Sequence, residues 1–464
     1  METYKKRIGF AISAQSLMIA GGIGQFTKGF CKMCDKLGYV VDIIVDQPLS
    51  VEKTDIVNYL EGVGNIYCPA FAKDYKVHQS VHMYADSVNF EKEANFRDAF
   101  MVALSKHIYD VMVCNVPESF IPWYSLGLSD HVPSIFYTHN EDFVGLDVKG
   151  GPYSKQYAKI YRQALYLGTR VGTQTRSNVM RMEGSFGTGT STVVLRMPIY
   201  EDRLLEQYKD LKRGVLFIGR WEERKNPQEF IQIVEKLQDE FLVKIITNRT
   251  GATKFEKAMR TAGLSNYIIY SDVQGDDKAD IIQSSKICIN PSIKESFGYG
   301  AIETLGHCHV LFNGEYDWSR EFSRTFKNVT RYNSIDEAVK TTQRIGRECC
   351  VVRGDIQQVQ EYQAQAFVDW ANMFDELSLT RKYGKSTQSR FGPPQSGYVR
   401  ALNDLGRAPG VEDITSMYNA LGNYTVQQSK YHTWISNEKS HMPENEAVST
   451  GGNSTLDELF GVTL

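Results

Sequence analysis

Arg7-Ile8-Gly9-Phe10-Ala11-Ile12-Ser13 is followed by a glycine turn, Gly21-Gly22-Ile23-Gly24, a helical stretch to about Leu37, and a second apolar run, Val40-Val41-Asp42-Ile43-Ile44-Val45. Short apolar runs alternating with helix-length stretches mark a parallel sheet covered by helices, because strands buried on both faces lose the in–out alternation. The rhythm continues through Val111 to Asn115, Ser134 to Thr138, Arg170 to Gln174 and Val193 to Arg196. A second series begins at Gly214, with runs at Val215 to Gly219, Leu242 to Thr247, Tyr267 to Tyr270, Ile287 to Asn290 and Val310 to Phe312. Two such series joined near Met197-Pro198 predict an α/β protein of two doubly wound, Rossmann-like domains facing a cleft. Ligands are then expected at the carboxyl ends of the strands.

The expected division is an N-terminal acceptor domain over 1–197, a nucleotide-binding domain over 198–350, a helical return segment over 351–377, a basic and helical extension over 378–436, and a flexible tail over 437–464. The 464 residues are long enough for several domains at about 150 residues each. Charged residues make up 23% and the net charge is −3, so nucleic-acid binding needs a local patch rather than a global excess. One such patch exists: Arg381, Lys382, Lys385, Arg390, Arg400 and Arg407 face a single acid, Asp404, between 381 and 407. It reads either as a phosphate-contacting segment or as a solvated face. No run approaches the ~20 apolar residues of a membrane span, and the start shows no secretory pattern, so a cytoplasmic setting is expected.

Eight cysteines are scattered through the chain, which suits a reducing compartment better than a disulfide framework. Cys31 and Cys34 form a C-x-x-C inside a helical stretch, with no second pair at finger spacing, and read as buried thiols. His307-Cys308-His309 opens an apolar strand, where alternate side chains face opposite ways, so a metal site is not expected there.

Four stations can carry chemistry. Gly22 to Gly24 form a turn that lets backbone N–H groups approach a ligand, although tight packing accounts for such a turn equally well. It is not the dinucleotide fingerprint, and Asp46 is only a loose candidate for a ribose-binding acid. His139 ends the run Phe136-Tyr137-Thr138, where the fold places ligands. Arg220 and Lys225 bracket a strand-to-helix turn with Pro227 near the first helical position, which suits a diphosphate leaving group whose charge grows as its bond breaks. In Asn290-Pro291-Ser292-Ile293-Lys294-Glu295-Ser296-Phe297-Gly298, Glu295 precedes a glycine turn, and Glu303 follows on the next helix. Carboxylates so placed can accept hydrogen bonds from sugar hydroxyls and a ribose diol.

The Glu295/Glu303 E-x7-E pair, the Pro291-Ser292 and Glu295-Ser296-Phe297-Gly298 surround, the Gly219-Arg220…Lys225 turn and the Gly22-Ile23-Gly24 loop, in that combination, resemble retaining glycosyltransferases of the GT-B fold, family 4 type. The resemblance covers roughly residues 7 to 350. It implies that Arg220 and Lys225 hold the donor diphosphate and Glu303 the ribose. Glu295, with the backbone around Phe297 and Gly298, would hold the donor sugar, Gly22 to Gly24 the phosphates, and His139 the sugar or reacting centre. It further implies a nucleotide-sugar donor, UDP-linked by family habit, and transfer with retained configuration through a front-face mechanism. No metal is implied, and no D-x-D motif is placed to hold one.

The extremities bear on the acceptor. Ser454-Thr455-Leu456-Asp457-Glu458-Leu459-Phe460-Gly461 resembles the peptides by which T-even phage proteins dock on the sliding clamp, with Leu456, Leu459 and Phe460 as apolar anchors on a flexible linker. Together with Gly219-Arg220, Tyr137 before His139, and Glu303 before Leu305-Gly306, this resembles the phage DNA alpha-glucosyltransferases that modify 5-hydroxymethylcytosine. The sequence departs from them at Asn140, where an aspartate is expected, and in its longer C-terminal region. By this resemblance Arg381, Lys382, Lys385 and Arg390 contact DNA, and the sugar is glucose or a pentose such as arabinose. Two other readings stand beside it. One is a cytoplasmic transferase acting on a polysaccharide, lipid-linked or small-molecule acceptor, of which Lys28, Lys32 and Lys36 on one helix are a faint sign. The other is a non-catalytic DNA- or clamp-binding protein on a transferase scaffold.

Overall fold

The computed structural model describes residues 5–18, 22–49, 60, 62–70, 90–139, 169–180, 192–206, 212–293, 295, 297–314, 317–347 and 356–382. Two wholly parallel sheets organise them. The first contains β1 (Arg7–Ile12), β2 (Val40–Val45), β3 (Val63–Tyr67), β4 (Val111–Cys114), β5 (Ser134–Tyr137), β6 (Arg170–Thr173) and β7 (Thr192–Val194), in the order β3-β2-β1-β4-β5-β6-β7. The second contains β8 (Val215–Ile218), β9 (Val243–Thr247), β10 (Tyr267–Ser271), β11 (Ile287–Asn290), β12 (His309–Asn313) and β13 (Val329–Tyr332), in the order β10-β9-β8-β11-β12-β13. The strand order reverses at β1/β4 and again at β8/β11. Such switch points open a crevice outside the carboxyl ends, because the chain departs to opposite sides there. The two-domain α/β architecture expected from the periodicity is therefore observed.

The central strands are apolar on both faces and fully buried, as in β4 and β11. Two edge strands, β3 and β13, were not among the expected runs; Gly64, Asn65 and Arg331 interrupt their apolar pattern. A short helix, α1 (Ala14–Met18), also intervenes between β1 and the glycine turn, which therefore does not follow the strand directly. Asp46 accounts for it: its carboxylate accepts the Ala14 N–H at 2.7 Å and the Ser13 hydroxyl at 3.3 Å. Asp46 is thereby tied to the start of α1.

The helices that position the cleft follow directly. Helix α2 (Gly22–Lys36) buries Phe26, Phe30, Cys31, Met33 and Cys34 against the first sheet. Burial pushes both thiols well up, which leaves them protonated and inert. A long helix over Ile356–Lys382 follows the second sheet and returns to the first, ending five residues past the expected end at Leu377. Its Trp370, fully buried, donates its indole N–H to the Arg196 carbonyl at 2.9 Å and lies edge-on to Phe30 at 4.9 Å. Arg196 pairs with Asp369 at 2.6 Å, Gln363 bonds both the N–H and the carbonyl of Ile199, and Lys6 and Arg170 pair with Asp375 and Glu376. The helix is thus a strap across the linker between the sheets. Arg381 and Lys382 are its last two residues. Lys385, Arg390, Leu456, Leu459 and Phe460 lie outside the described residues.

Candidate functional site

The loop after β8 and the loop after β11 meet, because those strands are neighbours. Lys225 Nζ forms an ion pair with the carboxylate of Glu295, which also accepts the Ser292 hydroxyl at 2.9 Å. The Ile293 N–H donates to the Arg224 carbonyl at 3.0 Å, so backbone as well as side chains ties the two loops. Glu295 is 5% exposed and Lys225 18%, which weakens water's competition for the pair. Helix α3 (Pro227–Leu237) starts with Pro227 at its first turn, as expected. Asn226 before it has φ 48°, a left-handed conformation that asparagine tolerates better than most residues.

Arg220 was expected to stand ready for a diphosphate, and the structure shows what orients it. Glu222 accepts from Arg220 Nε at 2.9 Å and from Arg224 Nε at 2.8 Å. Burial pushes the Glu222 carboxyl up, but the two guanidinium groups outweigh that and hold it below the usual range. Behind the loop, Glu229 accepts from Asn226 Nδ2 at 2.7 Å and from the Tyr332 hydroxyl at 2.7 Å, anchoring the turn to the end of β13. Neither glutamate was singled out from sequence; Glu222 acts on cations two residues to either side, within the turn itself, while Glu229 also reaches the distant Tyr332.

Glu303 lies on α4 (Tyr299–Leu305), whose start is the left-handed Gly298 at φ 66°. A side chain at Gly298 would be strained, which accounts for glycine in the turn. The Phe297 ring packs toward Phe322, centroids 5.9 Å apart, so that residue offers a ligand its backbone only. Glu303 is held by Lys278 of the helix Gly275–Gln283, whose Nζ is 2.6 Å from each carboxylate oxygen. Lys278 is a further residue that sequence reading passed over.

The first domain brings up Gly22, exposed at the start of α2: a Cβ there would meet Tyr299 Cβ at 3.5 Å, so the glycine turn faces the second domain. Gly24 is buried. The Tyr299 hydroxyl crosses to the Pro198 carbonyl at 3.0 Å. Lys32 pairs with Asp202 at 2.8 Å and Lys36 with the same carboxylate at 3.4 Å, while Lys28 lies 5.5 Å over the Tyr200 ring. The faint basic stripe thus engages the interdomain linker, with Lys36 still half-exposed.

His139 sits at the carboxyl end of β5, buried, with Nε2 2.9 Å from Asn115 Oδ1 and its ring edge-on to Phe26 and Tyr137. Those partners belong to the first domain, so the structure does not bring His139 against Arg220, Lys225 or Glu295 through them. Asn115 Nδ2 beside it is buried without a hydrogen-bond partner. Burial lowers the imidazole to about 3, so His139 is neutral at physiological pH. The unfolded chain binds that proton near 6.5. Stability is therefore fully present above about 6.5 and declines as pH falls toward 3, where the native state protonates too. A His139→Gln variant should flatten the fall in urea midpoint between pH 7 and 5; an unchanged slope would show that another group drives it.

His307 bonds the Leu204 carbonyl at 3.0 Å, and His309 the Thr330 hydroxyl at 2.8 Å, so the His-Cys-His run is dispersed into packing. Among the described residues no group of three His, Cys, Asp or Glu side chains is gathered to hold a metal ion, and no helix is long and apolar enough to cross a membrane.

Residues 206–308 match the model of the family "Glycosyl transferases group 1". No curated protein sequence matches the chain. Among solved structures it is similar to sucrose-phosphate synthase from Thermosynechococcus elongatus, with TM-score 0.62 and 14% identity over 82% of this chain and 99% of that one. It is similar also to a glycosyltransferase from Rickettsia africae, with TM-score 0.57 and 12% identity over 81% and 99%. Anabaena HepE in complex with UDP gives TM-score 0.57 and 12% identity over 81% and 99%. The fold is thus GT-B, and the stretch that carries Arg220, Lys225, Glu295 and Glu303 is the one that matches the group 1 glycosyl transferases.

Proposed function

We propose that this protein is a retaining glycosyltransferase that moves a sugar from a UDP-sugar to 5-hydroxymethylcytosine in phage DNA. The observation that carries the transferase half is the convergence of Arg220, Lys225 and Glu295 at the carboxyl ends of β8 and β11, in the segment that matches the group 1 family. Two cations there neutralise the diphosphate as its bond to the sugar breaks, so the oxocarbenium-like transition state gains more than the ground state. Glu295 accepts from sugar hydroxyls, and Glu303 takes the ribose diol. With the leaving phosphate oxygen on the acceptor's own face, that oxygen can take the acceptor proton, and the new bond forms with retained configuration. Neutral, buried His139 serves as a hydrogen-bonding group on the first-domain side, not as a proton donor. UDP is supported by the HepE structure, which holds it.

The acceptor half rests on the clamp-peptide-like Leu456, Leu459 and Phe460 and on the basic run Arg381, Lys382, Lys385 and Arg390, with glucose or a pentose as the sugar. A flipped base is required for such a target to enter the cleft. The test is mass spectrometry of nucleosides from hydroxymethylcytosine-containing DNA incubated with the protein and a panel of UDP-sugars. A hexosyl or pentosyl nucleoside is the expected product and names the sugar. Donor hydrolysis without it would move the acceptor elsewhere, and neither product nor hydrolysis with any donor would overturn the transferase assignment.

A further inference from the structure

The Lys278–Glu303 pair is unusual in its surroundings. Its side chains are 11% and 3% exposed, and one ammonium engages both carboxylate oxygens at 2.6 Å each. Burying two charges costs several kcal/mol of solvation per ion by general estimates, and an apolar pair of the same volume would fill the space as well. Stability alone is therefore a weak reason for the pair. Its position is specific: Lys278 is the fourth residue of the helix after β10, and Glu303 is on the helix after β11, both near the carboxyl edge of the second sheet. Glu201 of the interdomain linker and Lys28 of α2 lie within electrostatic reach of the pair, so it sits beside the junction with the first domain.

We propose that Lys278 and Glu303 together form a diol-reading pair that selects a ribonucleotide over a deoxyribonucleotide donor. The inference rests on the nucleotide-sugar reading above and adds to it a residue and a specificity. Each hydroxyl of a vicinal diol can donate to one Glu303 oxygen and accept from the Lys278 ammonium, which has three N–H donors to distribute. The diol so inserted replaces the two direct contacts without leaving either charge bare. A 2′-deoxyribose supplies one hydroxyl, so one carboxylate oxygen and one N–H lose their partner in a site with little water. Sites built to bond a hydroxyl reject the analogue lacking it for that reason.

Calorimetric titration of the full chain with UDP and with 2′-deoxyUDP tests this. The wild-type protein should prefer UDP by roughly ten- to a hundredfold, the range of one hydrogen bond to a charged group. Lys278→Met should weaken UDP binding more than 2′-deoxyUDP binding, so that the preference narrows. If that variant does not fold, the neutral pair Lys278→Met/Glu303→Gln replaces it, with the same narrowing expected. Equal wild-type affinity for the two nucleotides overturns the proposal while leaving the donor assignment intact. So does an unchanged preference in the variant, or tighter UDP binding, which would make Lys278 only a competitor for Glu303. Failure of the wild-type protein to bind either nucleotide removes the donor assignment and this inference with it.

Discussion

Lys225→Met should lower kcat about 10²–10³-fold on any working donor, the usual loss when one preorganised charge-stabilising group is removed from a transition state. The argument is geometric. The Lys225 ammonium is poised beside Glu295 in a turn clamped by Glu229, Asn226 and Tyr332, so little reorganisation is needed when charge develops on the leaving diphosphate. Donor KM should rise less than kcat falls, because the interaction grows as the bond breaks. The same substitution removes the Lys225 ammonium from the buried Glu295, so a thermal melt must accompany the kinetics. The double variant Lys225→Met/Glu295→Gln should cost less than the sum of the two singles, since the residues act as a unit. A Lys225→Met protein that folds normally and turns over within about threefold of wild type would remove Lys225 from the machinery.

Trp370→Ala should be the most destabilising single change in the strap helix, by about 3–5 kcal/mol, the range for truncating a large buried aromatic. Trp370 is fully buried beside Phe30, with Tyr137 5.3 Å and Phe374 5.7 Å away between ring centroids. Alanine would leave a cavity that these rings cannot close without moving, and would strip the Arg196 carbonyl of its indole donor. Phe26 lies 6.2 Å from Trp370 and 4.9 Å from His139, so the damage would also reach the first-domain side of the cleft. Urea denaturation of Trp370→Ala and Trp370→Phe should rank wild type above Phe above Ala. A wild-type midpoint for the alanine variant would mean that the strap helix contributes little to the core.

The strand pattern was legible where strands are covered on both faces, as in β4 or β11, since an unbroken apolar run of strand length between turn residues is what double-sided burial demands. It failed at β3 and β13, outer strands whose apolar run is interrupted by Gly64, Asn65 or Arg331, whereas the outer strands β7 and β10 keep apolar runs and were read. The turn at Asn226-Pro227 and the glycine at Gly298 were readable because special backbone geometry leaves its mark in residue type.

Local chemistry in the chain thus specified two βα series, their turns, and four carriers of charge at strand ends. It could not specify which charges meet. Lys225 and Glu295 are 70 residues apart, Lys278 and Glu303 are 25 apart, and Arg196 and Asp369 are 173 apart. Their pairing follows from strand order, which sets β8 beside β11, and from the return of the strap helix across the linker. Periodicity records whether a residue is buried, because burial acts on each residue in turn. Partner identity across the fold is a property of the assembled sheet, so the Glu229–Tyr332 and Lys278–Glu303 contacts became visible only with the tertiary structure.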